Sequence, residues 1–282
     1  MARSLPFAKA TACGNDFLLI DGHLVSEADL QSLTMQICDR HRGIGADGVE
    51  WLFPTDKADV YAHLINSDGS DAEVSGNGTR CVAAWHIWKK SDIYQRPPDD
   101  LNDLLSTIGT MGQVKVLTDA GVKTCTLVKQ RGTAFEFRGD MGEPKIDGEI
   151  GIALAEGERR GIRLSTGNPQ FIVFVDEFSP RWQVEGAEIE GHSDFPQRTN
   201  VEFVKVLNPR EIEIRIFERG AGETQSSGTG SCASAVASIH SGKARSPVRV
   251  VSPGGPQTVE WEGGSMFLTG PASILFRGEF FL

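Results

Sequence analysis

The 282-residue chain has few cysteines and no pattern among them. Five stand at 13, 38, 81, 125 and 232, with no C-x-x-C and no Cys/His ligand spacing. An odd, scattered set argues against a disulfide framework and against a structural zinc site. Basic charge is also scarce: 28 Lys and Arg stand against 38 Asp and Glu, a formal net charge of −10. That balance disfavours nucleic acid or an anionic lipid surface as a partner, and leaves a zwitterionic small molecule open. Long apolar runs are missing as well. The strongest, Phe171-Ile172-Val173-Phe174-Val175, is far too short to span a bilayer, and the first residues lack the apolar stretch of a signal peptide. These absences together predict a soluble, reduced, cytoplasmic protein. No G-x-S-x-G, H-E-x-x-H or Walker sequence occurs, which removes the usual signals of a serine hydrolase, a zincin and a P-loop ATPase.

What is present is enough for a packed core, at 39% hydrophobic and 23% charged residues. The length suggests about two domains. Thirty-two glycines against 13 prolines point to many turns and close backbone approaches.

An internal repeat organises the chain. Gly48-Val49-Glu50-Trp51-Leu52 matches Asn200-Val201-Glu202-Phe203-Val204, 152 positions on. At the same offset Asp71 faces Glu223, Ser75 faces Ser227, Gly76 faces Gly228, Gly78 faces Gly230 and Ala83 faces Ala235. With one residue of slippage, Gly14-Asn15-Asp16-Phe17 aligns with Gly167-Asn168-Pro169-Gln170-Phe171. Four blocks in one order imply a duplicated half-chain and two pseudo-equivalent lobes.

The secondary-structure pattern agrees. Residues 16–22 and 169–176 are short β-rich runs after a Gly-Asn turn. Residues 211–218 alternate with period two, as a half-buried strand does, and 60–66 is the counterpart. Each is followed by a Gly/Ser-rich loop and a helix of small residues, over about 76–90 and 228–241. Residues 26–41 read as helical, with Ser26 and Asp29 as a capping pair. Further strands fill 114–137 and 248–281. Ala83, Ala84, Ala233, Ala235 and Ala237 predict that the two repeated helices are tightly surrounded. The expected class is α+β, strand-dominated. The first lobe is expected over 1–119, with 271–282 returning to it, and the second over 120–270.

Two motifs carry chemistry-like spacing. Gly43-Ile44-Gly45-Ala46-Asp47-Gly48 is a literal G-x-G-x-x-G, but it follows a helix and precedes a strand, the reverse of the dinucleotide arrangement. It reads as a helix-to-strand turn. Ser75-Gly76-Asn77-Gly78 and Ser227-Gly228-Thr229-Gly230 each precede a helix. A single serine there is an N-cap. A matched pair also fits an active site, since helix N-termini attract a carboxylate and two opposed proton-handling groups suit inversion at a carbon.

At these residues the chain resembles the diaminopimelate epimerases. The matching elements are Gly14-Asn15-Asp16-Phe17, Gly43 to Gly48, Asn66-Ser67-Asp68-Gly69-Ser70-Asp71-Ala72-Glu73, and Gly76-Asn77-Gly78-Thr79-Arg80-Cys81. They continue with Gly167-Asn168-Pro169, Thr199-Asn200-Val201, Glu218-Arg219-Gly220, Gly222-Glu223-Thr224 and Gly228-Thr229-Gly230, in the family's order. The resemblance implies two pseudo-symmetric lobes, each a mixed sheet or barrel wrapped around a central helix, with a cleft between them. It implies cofactor-independent interconversion of LL- and meso-diaminopimelate by two-base proton transfer, in lysine and cell-wall precursor biosynthesis. Asn15, Asn66, Asn168, Asn200, Glu218 and Arg219 would hold the substrate's ammonium and carboxylate groups. The backbone N–H groups of Gly76, Asn77, Gly228 and Thr229 would take the carboxylate at the reacting carbon. No metal is implied, the partner is a small amino-acid substrate, and the family often forms homodimers.

Three positions depart from the family pattern. Ser75 and Ser227 stand where it carries the two acid/base cysteines, and Gln170 stands where it commonly carries a histidine. A hydroxyl is a much weaker acid than a thiol. Cys81 and Cys232 fall inside the helices and read as packing residues, and Cys13 precedes the Gly14-Asn15 turn. Three readings follow: a serine-bearing epimerase of this family, an isomerase of another amino-acid-like substrate, and a silent amino-acid-binding relative.

Overall fold

The computed structural model describes residues 4–26, 30–90 and 112–282. The chain divides into two compact units, Met1–Gly139 with Gly270–Leu282, and Asp140–Thr269. The sequence expectation placed the change of lobe at 119/120. The structure places it about twenty residues later, and the reason is a hairpin. Strand β6 (Gln113–Thr118) turns directly into β7 (Gly121–Arg131) with Thr118 opposite Gly121, and β7 into β8 (Ala134–Asp140). Three antiparallel neighbours joined by short turns cannot be parted between lobes.

The first unit begins with β1 (Ser4–Ala12), β2 (Asn15–Asp21), α1 (Leu30–Cys38), β3 (Gly48–Phe53) and β4 (Val60–Asn66). The short β5 (Asp71–Ala72) and α2 (Gly76–Lys89) follow, then β6 to β8. The last strand, β17 (Phe267–Phe281), pairs with both β8 and β1. The ring β1-β2-β3-β4-β6-β7-β8-β17 therefore closes into an eight-stranded barrel. Closure leaves no open edge on that ring.

The second unit repeats the plan with β9 (Lys145–Leu154), β10 (Gly157–Ser165), β11 (Pro169–Phe174), α3 (Trp182–Glu190) and β12 (Asn200–Asn208). It continues with β13 (Glu211–Glu218), β14 (Gly222–Thr224), α4 (Gly228–His240), β15 (Val248–Ser252) and β16 (Gly255–Glu260). The two parallel pairings, β2 with β3 and β4 with β6, recur as β11 with β12 and β13 with β15. The registers carry the sequence offset: Phe17 faces Gly48 as Gln170 faces Asn200, and Ile65 faces Asp71 as Phe217 faces Glu223.

Strand alternation explains the two cores of each unit. On β2, Phe17 and Leu19 face the cluster around α2, while Leu18 and Ile20 face α1. On β11, Ile172 faces the cluster around α4, while Phe171 and Val173 join Trp182 and Ile189 of α3. Each sheet thus wraps one helix and carries another on its outer face. Cys81, Ala83, Ala84, Cys232, Ala233, Ala235 and Ala237 are fully enclosed, because only small side chains fit a helix ringed by strands.

The helix expected over 26–41 is described over Leu30–Cys38 and ends three residues early; residues 27–29, with Asp29 of its expected cap, lie outside the described residues. The G-x-G-x-x-G segment is the turn from α1 into β3 and opens no helix. Sequence reading did not mark out β1, the long β9–β10 hairpin or α3. No helix among the described residues is long and apolar enough to cross a membrane.

Candidate active site

Every site residue expected in the first unit falls at an element end: Asn15 at the head of β2, Asn66 at the end of β4, and Ser75, Gly76 and Asn77 at the start of α2. The β1–β2 turn is built on Cys13 and Gly14, both with positive φ (49° and 86°), which places Asn15 at the head of β2. The Asn15 amide donates to Asp47 Oδ2 at 3.0 Å, and its oxygen accepts from Asn77 Nδ2 at 2.6 Å. Asn77 in turn accepts from the Arg80 guanidinium, which also reaches Pro271 O at 3.2 Å. Asn15 and Asn77 are thereby fixed in one orientation, since each amide end has an assigned partner. Cys13 is not solvent-facing. Its thiol is buried 3.7 Å from Arg80, and burial raises it although Arg80 pulls the other way. Asp16 anchors the same corner. Burial alone would raise its carboxyl, but Arg40 and Lys9 outweigh burial and hold it at about 2. Asn66 ends β4 and donates to Ser70 Oγ at 3.0 Å.

Ser75 is the N-cap of α2. Its backbone is extended and its hydroxyl accepts from Gly78 N. Ser227 caps α4 in the same way, accepting from Gly230 N at 3.2 Å. Gly76, Asn77, Gly228 and Thr229 are the opening residues of the two helices, where N–H groups have no acceptor one turn earlier and positive potential collects.

In the second unit Thr229, Asn168 and Glu218 gather around Ser227. Its hydroxyl lies 3.3 Å from Thr229 Oγ1, and Thr229 is also approached by the Asn168 amide at 3.5 Å. One end of the Gln170 amide lies 2.8 Å from Asn168 Oδ1. The Ser227 hydroxyl also lies beside the Glu218 carboxyl. Burial raises Glu218, and Ser227 pulls back in favour of the ionised form, with the net effect upward. Asn200 is braced at both amide ends, donating to Pro169 O at 2.8 Å and accepting from Arg219 N at 3.0 Å. It positions the Arg219 turn through its backbone. Arg219 itself is exposed, with one guanidinium nitrogen 3.2 Å from Gln197 O.

Three features escaped the sequence reading. Glu190, almost wholly buried, accepts from Gly220 N at 3.0 Å and from Arg198, and so supports the turn after Arg219. Asn66 and Glu218 occupy equivalent strand ends, 152 positions apart, so one serine has a carboxyl neighbour from β13 where the other unit has an amide. The third feature is Glu50 and Glu202, both fully buried. Burial and the charge of Asp119 push Glu50 up to about 8, and burial and Glu218 raise Glu202.

The sequence profile of the family described as "Diaminopimelate epimerase" matches residues 7–146 and 163–275. The chain belongs to the diaminopimelate epimerase family. A diaminopimelate epimerase of Pelotomaculum thermopropionicum is 38% identical, covering 97% of this chain and 98% of that one. The enzyme of the same name from Heliobacterium modesticaldum is 35% identical, covering 98% and 99%. Among solved structures, a hydroxyproline epimerase from Agrobacterium vitis, with bound trans-4-hydroxy-L-proline, superposes with a TM-score of 0.68 at 15% identity, covering 99% and 91%. A methylitaconate-delta-isomerase does so at 0.64 and 12%, covering 100% and 96%. At such identities the likeness shows a shared fold alone.

Proposed function

We propose that this chain is a cofactor-independent epimerase that interconverts LL- and meso-diaminopimelate, a cytoplasmic step toward lysine and cell-wall precursors. The observation that carries the reading is the pair of serine-capped helix starts, one per unit, set within a family match that runs nearly end to end. Inversion at an α-carbon needs a proton removed on one face and delivered on the other. Ser75 and Ser227 are assigned those two roles.

A serine hydroxyl needs a base before it can take part in proton removal near neutral pH. In the second unit, Glu218 stands beside Ser227 and is raised toward the range where a carboxylate works as a base. The opening N–H groups of α2 and α4 are the groups that would receive the α-carboxylate. Asn15, Asn77 and Asn168, each fixed by neighbours, would fix the remaining polar groups of the substrate, and Arg219 would clamp a carboxylate.

The test is direct incubation with LL-diaminopimelate, with the isomers separated by chiral chromatography. Formation of the meso isomer without added cofactor is the expected result. Absence of both conversion and binding would overturn the assignment.

A further inference from the structure

Glu50 and Glu202 have no part in the chemistry above, yet both lie at the centre of their units. Val49 and Trp51 face α1, so by strand alternation Glu50 faces α2, on the same side of β3 as Leu52. Val201 and Phe203 face α3, so Glu202 faces α4, on the side of Val204. Each carboxyl packs against the third residue of its helix. A Cβ on Gly78 would overlap Glu50 Oε1, and one on Gly230 would overlap Glu202 Oε1; each would also lie 3.2 Å from the Cβ of the capping serine. Neither glycine has positive φ, so backbone conformation does not require glycine there. The second glycine of each Ser-Gly-x-Gly sequence is accounted for by the carboxyl beneath it.

Gln170 is the buried polar neighbour of Glu202. One end of its amide lies 2.8 Å from Asn168 Oδ1 and 3.3 Å from Thr166 Oγ1, and the other end lies 3.0 and 3.1 Å from the two Glu202 oxygens. With its nitrogen on the Glu202 side the amide donates to the carboxyl and ties it to the Asn168 turn. The charges that bear on the two glutamates, Asp119 on Glu50 and Glu218 on Glu202, act in the same direction.

We propose that Glu50 and Glu202 are a matched pair of positioning residues, each seated beneath the first turn of its helix, that set how each serine turn presents its N–H groups to a substrate carboxylate. The grip depends on the proposed epimerase reading; the seating does not. Burial and a neighbouring carboxylate favour the uncharged form of both glutamates, and a negative charge behind a helix start would cancel the potential that draws an anion to it.

Two measurements test this. The first is a stability cycle on the intact chain, using Gly78→Ala, Glu50→Ala and the double variant, with Gly230→Ala and Glu202→Ala as the second set. Each Gly→Ala change should lower Tm, and the double variant should recover part of the loss. A double variant whose Tm loss is the simple sum of the two would overturn the seating. The second is the dissociation constant of meso-diaminopimelate at pH 7 and pH 9 by calorimetry. Between these values the parent should weaken on the order of tenfold more than Glu50→Gln does, the factor set by ionising an acid near 8. Equal weakening in both would overturn the role in binding. A parent that turns nothing over and binds nothing would sink the epimerase reading, and the stability cycle would still decide the seating.

Discussion

The hydroxyl of Ser75 accepts a hydrogen bond from the Gly78 amide at 3.0 Å. One lone pair is therefore directed into the helix, and the hydroxyl hydrogen is left to point elsewhere. Ser227 makes the matching bond to Gly230. Each serine is at once a helix cap and the proposed proton-handling group, and substitution can separate the roles. Ser75→Ala and Ser227→Ala should each lower stability by about 1 kcal/mol, the ordinary value of a lost cap. Ser75→Asp keeps a capping oxygen and should retain most of that stability. All three should lose epimerisation, measured by chiral chromatography beside thermal melts.

Replacing both serines by cysteine should raise the rate. A thiol is far more acidic than a hydroxyl, and a helix start lowers it further. The double variant Ser75→Cys with Ser227→Cys should exceed the parent in kcat by at least about tenfold, as expected when a group's acidity moves toward the working pH. The pH–rate profile should gain a limb that follows thiol titration.

Glu218 should control the acid side of the parent's profile. Its carboxyl is raised by burial, so its proton-accepting form is lost as pH falls through a value above the ordinary carboxylate range. Activity should fall along that limb. Glu218→Gln should remove the limb and lower kcat roughly 10²-fold or more, the usual scale for loss of a general base. A melt at neutral pH separates this from misfolding.

Much of this architecture was legible in the sequence, for physical reasons. Glycine turns and small-residue helices repeat because an enclosed helix admits only small side chains, so the duplication shows at Gly76, Gly78, Ala83 and their counterparts. The α3 helix left no such trace. Its cap position is Arg181, with no side-chain capping bond, and Gly186 interrupts it where it packs on Phe217. In the β9–β10 hairpin the period-two face of Ile146, Ile150, Ile152 and Leu154 is broken by Gly148 and alternates with an exposed face, so the strand signal is weak. Asn66 and Glu218 are equivalent in place but not in type, so a search for identities passes over them. The burial of Glu50 and Glu202 depends on which strand face meets the central helix, and only the fold decides that.

Stability should carry the signature of Glu50. Its folded value is about 8, above the ordinary carboxyl value near 4.5. Between these values the folded state holds a proton that the unfolded chain has released. This contribution to stability is therefore greatest in acid, declines as pH rises from about 4.5 to about 8, and is flat beyond. Glu50→Gln removes the titration. At pH 8 the variant should be more stable than the parent, by on the order of a few kcal/mol, and the difference should shrink toward pH 5. Denaturant titrations at the two pH values give the comparison.

The central claim is that two separate groups, one on each unit, exchange the α-hydrogen with solvent during inversion. The most direct measurement is the deuterium content of product and of unreacted substrate, at early conversion of LL-diaminopimelate in deuterated water. The account predicts one α-deuterium per meso product molecule, at the inverted centre, while recovered LL substrate is still largely protium. Product that retains the original hydrogen, carried from face to face by a single group, would contradict it.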